Sequence, residues 1–247
     1  MGQRTYRLTL AYDGTRYRGW QRLPGTELTV QGRIEAALTE LFDLPIEIDG
    51  SGRTDAGVHA AGQVASFRAP ELPLPTLLAR LRHLLPEDIG VLAVDYAPDR
   101  FHARLSAVEK TYVYRVWNSE QPDVFGRRFR TRVPQPLDHA AMEAAAVKLL
   151  GTHDFMAFCA NKHMKKSSVR TLHRLELVRE GEELRFELTA DGFLYHMVRI
   201  IVGTLLEVGM GKRPADSIPA LFDSRSRALA GETAPAKGLF LMEVRYE

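Results

Sequence analysis

The chain has 247 residues, is 45% hydrophobic and 26% charged, and carries a net charge of +2 with a single cysteine. That length suits one large domain or two small ones, and the composition excludes a disordered or fibrous chain. No stretch approaches the ~20 apolar residues of a membrane span, the start Met1–Arg7 lacks an apolar signal core, and the lone Cys159 excludes an internal disulfide.

In chain order, alternating residues predict a strand over 4–12, ended by Asp13-Gly14. A helix follows over about 29–42, with Thr29 as N-cap and a stop before Pro45. Short strands are expected near 45–49 and 62–68, a helix over 74–84 ended by Pro86, and a strand over 89–96. The second half restarts with a strand over 110–117 and a helix over 138–150 between Asp138 and Gly151. Strands over 172–179 and 184–190 precede a long helix over 194–209, a short one over 214–223 and a last strand over 239–246. Arg4-Thr5-Tyr6-Arg7-Leu8 opens the first half much as Lys110-Thr111-Tyr112-Val113-Tyr114 opens the second. Two βαββαβ-like halves, 1–105 and 106–247, are therefore expected in an α+β architecture with a substrate cleft between them. Neither a Rossmann glycine fingerprint nor a Gly-Lys-Ser/Thr phosphate loop occurs at a strand-to-helix junction, so no nucleotide cofactor is expected.

The run Ser51-Gly52-Arg53-Thr54-Asp55-Ala56-Gly57-Val58-His59 holds Asp55, the only acid between Asp49 and Glu71. Small neighbours let a large group approach the backbone closely. Two readings are open: an isolated carboxylate set up as a nucleophile, or the cap of a Gly-rich turn. Arg199 lies in Phe193–Leu206, a segment apolar nearly all round and therefore buried. A charge there needs an anionic partner, and Asp55 is the candidate; the alternative is a helix end or a phosphate. Tyr112 and Tyr114 share a strand face beside Lys110. Tyr112 is the candidate for stacking on a base and Tyr114 the candidate for core packing.

Basic residues cluster at Arg16/Arg18/Arg22, at Arg127–Arg132 and at Lys162/Lys165/Lys166/Arg170, with Tyr17, Trp20 and Phe129 among them. Each alone reads as a solvated loop; together they point to a polyanion such as RNA or DNA. A metal-dependent hydrolase built on Asp55, His59 and His153, with His153-Asp154 as a second pair, is a rival reading, without an HExxH or Cys-x-x-Cys spacing to support it. His102 reads as a structural hydrogen-bonding residue, and Cys159, between Phe158 and Ala160, as a small buried hydrophobe in a reducing cytoplasm.

Taken in order, Tyr12-Asp13-Gly14-Thr15, Gly19-Trp20-Gln21, Gly52–His59, Phe101–Arg104, Lys110-Thr111-Tyr112, Gly151–Phe155, His196–Arg199 and Ala234–Leu239 resemble the tRNA pseudouridine synthase A family nearly end to end. The resemblance implies an α+β pseudouridine synthase fold: two related halves around a central, mainly antiparallel sheet, with a basic cleft between them. It implies isomerisation of uridine to pseudouridine at tRNA positions 38, 39 and 40 in the anticodon stem-loop, by a cytoplasmic homodimer with no metal and no organic cofactor. The family's nucleophile falls on Asp55, its stacking tyrosine on Tyr112 and its aspartate-pairing arginine on Arg199. Arg53, Lys110 and Leu239 join Tyr112 as expected substrate contacts. His83 departs from the family pattern, standing before Leu85-Pro86 where many members carry asparagine.

Overall fold

Alternation along β1 (Gln3–Tyr12) turns Tyr6, Leu8, Leu10 and Tyr12 inward, each at most 5% exposed. A strand with one buried face has its register fixed by that face. In the computed structural model, which describes residues 2–161 and 164–247, β1 organises the first of two units, Met1–Val108 with Phe240–Glu247.

Helix α1 (Val30–Phe42) follows, with the Thr29 hydroxyl accepting from the Gly32 N–H at 3.3 Å. It buries Val30, Ile34, Ala37 and Leu38 and ends where Asp43 turns left-handed at φ 52°. Ile46 and Ile48 are buried as an alternating strand would bury them, but only β2 (Asp49–Gly50) pairs, against β3 (His59–Pro70). The expected strand at 62–68 is thus longer, and β1 runs antiparallel along nearly all of it. Helix α2 (Leu74–Leu84) packs Leu77 and Leu81 inward and stops before Pro86, and β4 (Ile89–Ala97) closes the other edge of β1.

The second unit, Glu109–Leu239, takes most of β5 (Ala107–Trp117). The two-residue β6 (Thr131–Arg132) pairs with β5 and was not legible in the sequence pattern. Helix α3 (His139–Val147) starts where Asp138 accepts from the Ala141 N–H at 2.9 Å. It is shorter than the expected 138–150, because Lys148, Leu149 and Leu150 donate three residues back rather than four. Gly151 then opens the short strand β7 (Gly151–Asp154) at φ 96°. Next come β8 (Val169–Glu180) and β9 (Glu183–Ala190), giving the order β5-β9-β8-β7. Tyr112 lies opposite Leu188, and Tyr114 opposite Phe186.

Helix α4 (Met197–Gly209) is buried on nearly every side, as its composition requires. It begins at 197 rather than 194 because His196 sits at φ 63°, a conformation a right-handed helix cannot contain. The expected helix at 214–223 is a single tight turn followed by α5 (Ile218–Ser224). The last strand, β10 (Leu239–Tyr246), pairs parallel with β3 through Phe240–His59 and Leu241–Ala60. No helix of the described residues is long and apolar enough to cross a membrane.

Candidate active site

Asp55 is half-buried, on the loop between β2 and β3, and its backbone is fixed from both sides. Within the loop, the Val58 N–H donates to the Asp55 carbonyl at 3.1 Å across a tight turn with Gly57 at φ 77°. Outside it, the segment after β1 lies antiparallel to the loop. The Trp20 N–H donates to the Thr54 carbonyl at 3.0 Å, and the Gly57 N–H to the Tyr17 carbonyl at 3.3 Å. These two bonds place Gly19 across from Asp55. A Cβ on Gly19 would stand 2.7 Å from the Thr54 oxygen and 3.2 Å from the Asp55 carbonyl carbon, and Gly19 already has φ 95°. Glycine is therefore required there on two independent grounds. The same holds for space at Gly14, where a Cβ would lie 1.9 Å from the Val58 oxygen.

Beneath the loop the polar groups are connected. The Tyr12 hydroxyl and Thr54 Oγ1 are 2.8 Å apart, and burial pushes the Tyr12 phenol up to about 12. The Ser51 hydroxyl donates to Gln63 Oε1 at 2.6 Å, and Gln63 Nε2 donates to the Gly52 carbonyl at 3.0 Å. The Gly19 and Trp20 carbonyls accept from the Val30 and Gln31 N–H groups, which open α1 and have no partner inside that helix. The Asp55 turn is thus anchored to a helix start and a strand, as rigid positioning requires.

In the second unit, Tyr112 is 8% exposed on β5 and meets Phe193 edge-on at 5.0 Å. Lys110 is half-buried two residues earlier on the same face. Arg199, in the first turn of α4, is half-buried, and its Nε donates to the Ala234 carbonyl at 2.7 Å. The Ala234 N–H returns a bond to the Arg199 carbonyl at 3.1 Å. Tyr114, fully buried, donates its hydroxyl to the Pro235 carbonyl at 2.8 Å and bonds Thr131 Oγ1 at 2.7 Å. Burial raises the Tyr114 phenol far above its ordinary range. Gly231 adds an N–H bond to Thr204 Oγ1 at 2.9 Å. The segment ahead of β10, with buried Leu239 at its end, is therefore pinned to α4 and β5 around the residue that holds Arg199 Nε. Neither Tyr114 nor Ala234-Pro235 is recognisable in the sequence as a support of Arg199. The signal present was Gly231, Pro235 and Gly238, a cluster of turn-forming residues just before a strand.

The basic clusters divide on inspection. Arg16 pairs with Asp88 (Nε–Oδ2 2.9 Å), and Arg22 bridges Glu35 and Glu47 at 3.0 Å each. Arg130 pairs with Asp123 and Glu183. Arg18, Arg53, Arg127, Arg128, Lys165 and Lys166 are exposed, while Lys162 lies outside the described residues. His59 is 1% exposed, accepts from the Gly14 N–H at 3.0 Å and stacks on Phe240. His153 stacks on Phe222 at 4.3 Å with Nε2 2.8 Å from the Leu150 carbonyl, so both histidines have structural work. Among the described residues no three His, Cys, Asp or Glu side chains gather as a metal site. Cys159 is buried at 2% exposure.

A family model described as tRNA pseudouridine synthase matches residues 9–105 and 145–247. The chain is 49% identical over 234 residues to tRNA pseudouridine synthase A of Halalkalibacterium halodurans, spanning 94% of this chain and 89% of that one. It is 47% identical over 243 residues to tRNA pseudouridine synthase A of Moorella thermoacetica (97% and 98% covered). It is 42% identical over 242 residues to tRNA pseudouridine synthase A 2 of Bacillus cereus (98% and 99% covered). The strand and helix order, with these matches, defines an α+β pseudouridine synthase fold. The chain belongs to the tRNA pseudouridine synthase family, a family of isomerases.

Proposed function

We propose that the protein converts uridine to pseudouridine in tRNA, at positions 38, 39 and 40 of the anticodon stem-loop, with Asp55 as nucleophile. The observation that carries the reading is the Asp55 turn: a carboxylate on a backbone held by the Trp20–Thr54 and Tyr17–Gly57 bonds and by glycines that admit no Cβ. A solvated surface acid needs no such frame.

The chemistry explains why one ionised carboxylate is enough. In its direct form, Asp55 attacks C1′ as the C1′–N1 bond breaks and the electron pair leaves on uracil N1. The freed base turns, its C5 bonds to C1′, and the aspartyl–C1′ bond breaks to restore the carboxylate. N1 gains a proton and C5 loses one, so nothing is oxidised and no group is lost. Attack on the base, or removal of a sugar proton, also starts from the carboxylate. The target base has to leave its stack first, at a cost of a few kcal/mol.

Tyr112 is the proposed stacking partner for the everted base, and its phenol the proposed acceptor of the C5 proton. Arg199 is the proposed counter-charge to Asp55. Lys110, Arg53 and Leu239 are proposed contacts to the same nucleotide, and the exposed basic loops hold the tRNA backbone without reading its sequence. A cytoplasmic homodimer working without metal or organic cofactor completes the proposal.

Asp55→Asn tests it. The variant is expected to fold, to bind tRNA and to form no pseudouridine; sustained turnover would remove Asp55 from the nucleophile's role. Arg199→Met, if as active and as stable as the parent, would end the pairing. Activity lost to a chelator would favour the metal-dependent reading instead.

A further inference from the structure

The segment that frames the Asp55 turn also carries one of the exposed basic residues described above, set against that turn by the backbone pairing. Arg18 lies between Tyr17, whose carbonyl accepts from Gly57, and Gly19-Trp20, bonded to Thr54. The antiparallel count 17–57, 20–54 sets Arg18 across from Ala56, one residue from Asp55. Arg18 is exposed, as is Arg53 on the facing loop. Neither guanidinium makes a hydrogen bond or ion pair among the described residues.

Their neighbours behave differently. Arg16 and Arg22, two residues before and four after Arg18, are held by carboxylates. An arginine already paired at the surface must exchange a carboxylate for any new anion; an unpaired one need not. The Arg18 backbone is nonetheless fixed, its N–H donating to the Leu28 carbonyl at 2.7 Å. A fixed base under an uncommitted guanidinium is pre-organised for a forked contact to phosphate.

We infer that Arg18 is a phosphodiester-binding residue of the substrate site, acting with Arg53 on the phosphates that flank the nucleotide brought to Asp55. This rests on the RNA reading of Asp55 given above. Arg18 does no chemistry; it sets where the backbone lies when the base is out.

The test measures tRNA affinity against salt in the Asp55→Asn background, where turnover does not intervene. Arg18→Gln is expected to weaken tRNA binding roughly 5- to 10-fold and to lower the slope of log affinity against log salt by about one. Arg18→Lys is expected to recover most of the slope, since it keeps the charge. In the active protein, Arg18→Gln is expected to raise KM with kcat nearly unchanged. Arg4→Gln, an exposed arginine paired with Glu71, serves as the control for diffuse charge and is expected to leave the slope alone. An unchanged affinity and slope in Arg18→Gln, or an equal loss in Arg4→Gln, overturns the inference while pseudouridine formation stands. Absence of any tRNA binding, or of pseudouridine from the parent protein, overturns the underlying reading as well.

Discussion

Gly19→Ala puts the frame of the Asp55 turn to its hardest test, because it adds one methyl group and alters no charge. Gly19 has φ 95°, and its absent Cβ would sit 2.7 Å from the Thr54 oxygen. An alanine held at such a φ costs on the order of 1–3 kcal/mol. Relieving the contact means moving Thr54–Ala56 away, which stretches the 3.0 Å Trp20–Thr54 bond, worth about 1 kcal/mol. The sum is roughly 2–4 kcal/mol, a large share of the ~5–15 kcal/mol that holds a typical domain. At about 2–4 °C per kcal/mol for a protein of this size, Tm should fall by roughly 5–15 °C. Asp55 moves with the displaced backbone, and a shift of about 1 Å can cost on the order of 100-fold in rate. Thermal unfolding reads the first effect. Release of tritium from tRNA labelled at uridine C5 reads the second, since C5 gives up its hydrogen when it joins C1′. A variant with parental Tm and parental tritium release would show that the turn tolerates a side chain at Gly19 and that the framing argument is mistaken.

Two further outcomes follow from the second unit. Tyr114→Phe removes the hydroxyl bonded to both the Pro235 carbonyl and Thr131 Oγ1, and should lower stability by about 1–3 kcal/mol. Because Ala234 next door holds Arg199 Nε, kcat should fall while KM changes little; a loss of stability with kcat intact would separate the clamp from the arginine. Burial opposes ionisation of Glu183, but Arg115 at 2.6 Å, with Arg130 and Arg185, outweighs it and holds the carboxyl below the usual range. A lowered folded-state value stabilises above the unfolded one, ~4.3, and that contribution is lost as pH falls through the folded value. The stability gap between the parent and Glu183→Gln should therefore narrow on acidification below about pH 4.5; a gap that is constant from pH 7 to 3 would contradict the assignment.

Elements whose causes are local are legible in the amino-acid order. Thr29 and Asp138 cap their helices, Pro86 ends α2, and the alternation of Tyr6, Leu8 and Leu10 makes β1, because each effect acts within a few residues. That order also displayed Asp55, Tyr112 and Arg199 as candidates, since an isolated acid among small residues and a cation in an apolar helix are visible in one dimension. Long-range relations were settled only by the tertiary structure. The parallel pairing of β10 with β3 joins residues some 180 positions apart in the chain. His196 delays the start of α4 through a left-handed backbone that the apolar run from 194 does not announce, and Ala234-Pro235 accepts bonds from an arginine and a tyrosine far away in sequence. The arginines gave the same lesson in charge: Arg16, Arg18 and Arg22 read alike as letters, and only the placement of Asp88, Glu35 and Glu47 neutralises two of them and leaves the third uncommitted. Helix caps and strand alternation are short-range physics written directly into neighbouring residues, whereas ion pairing and backbone approach depend on which distant segments the fold brings within a few ångströms.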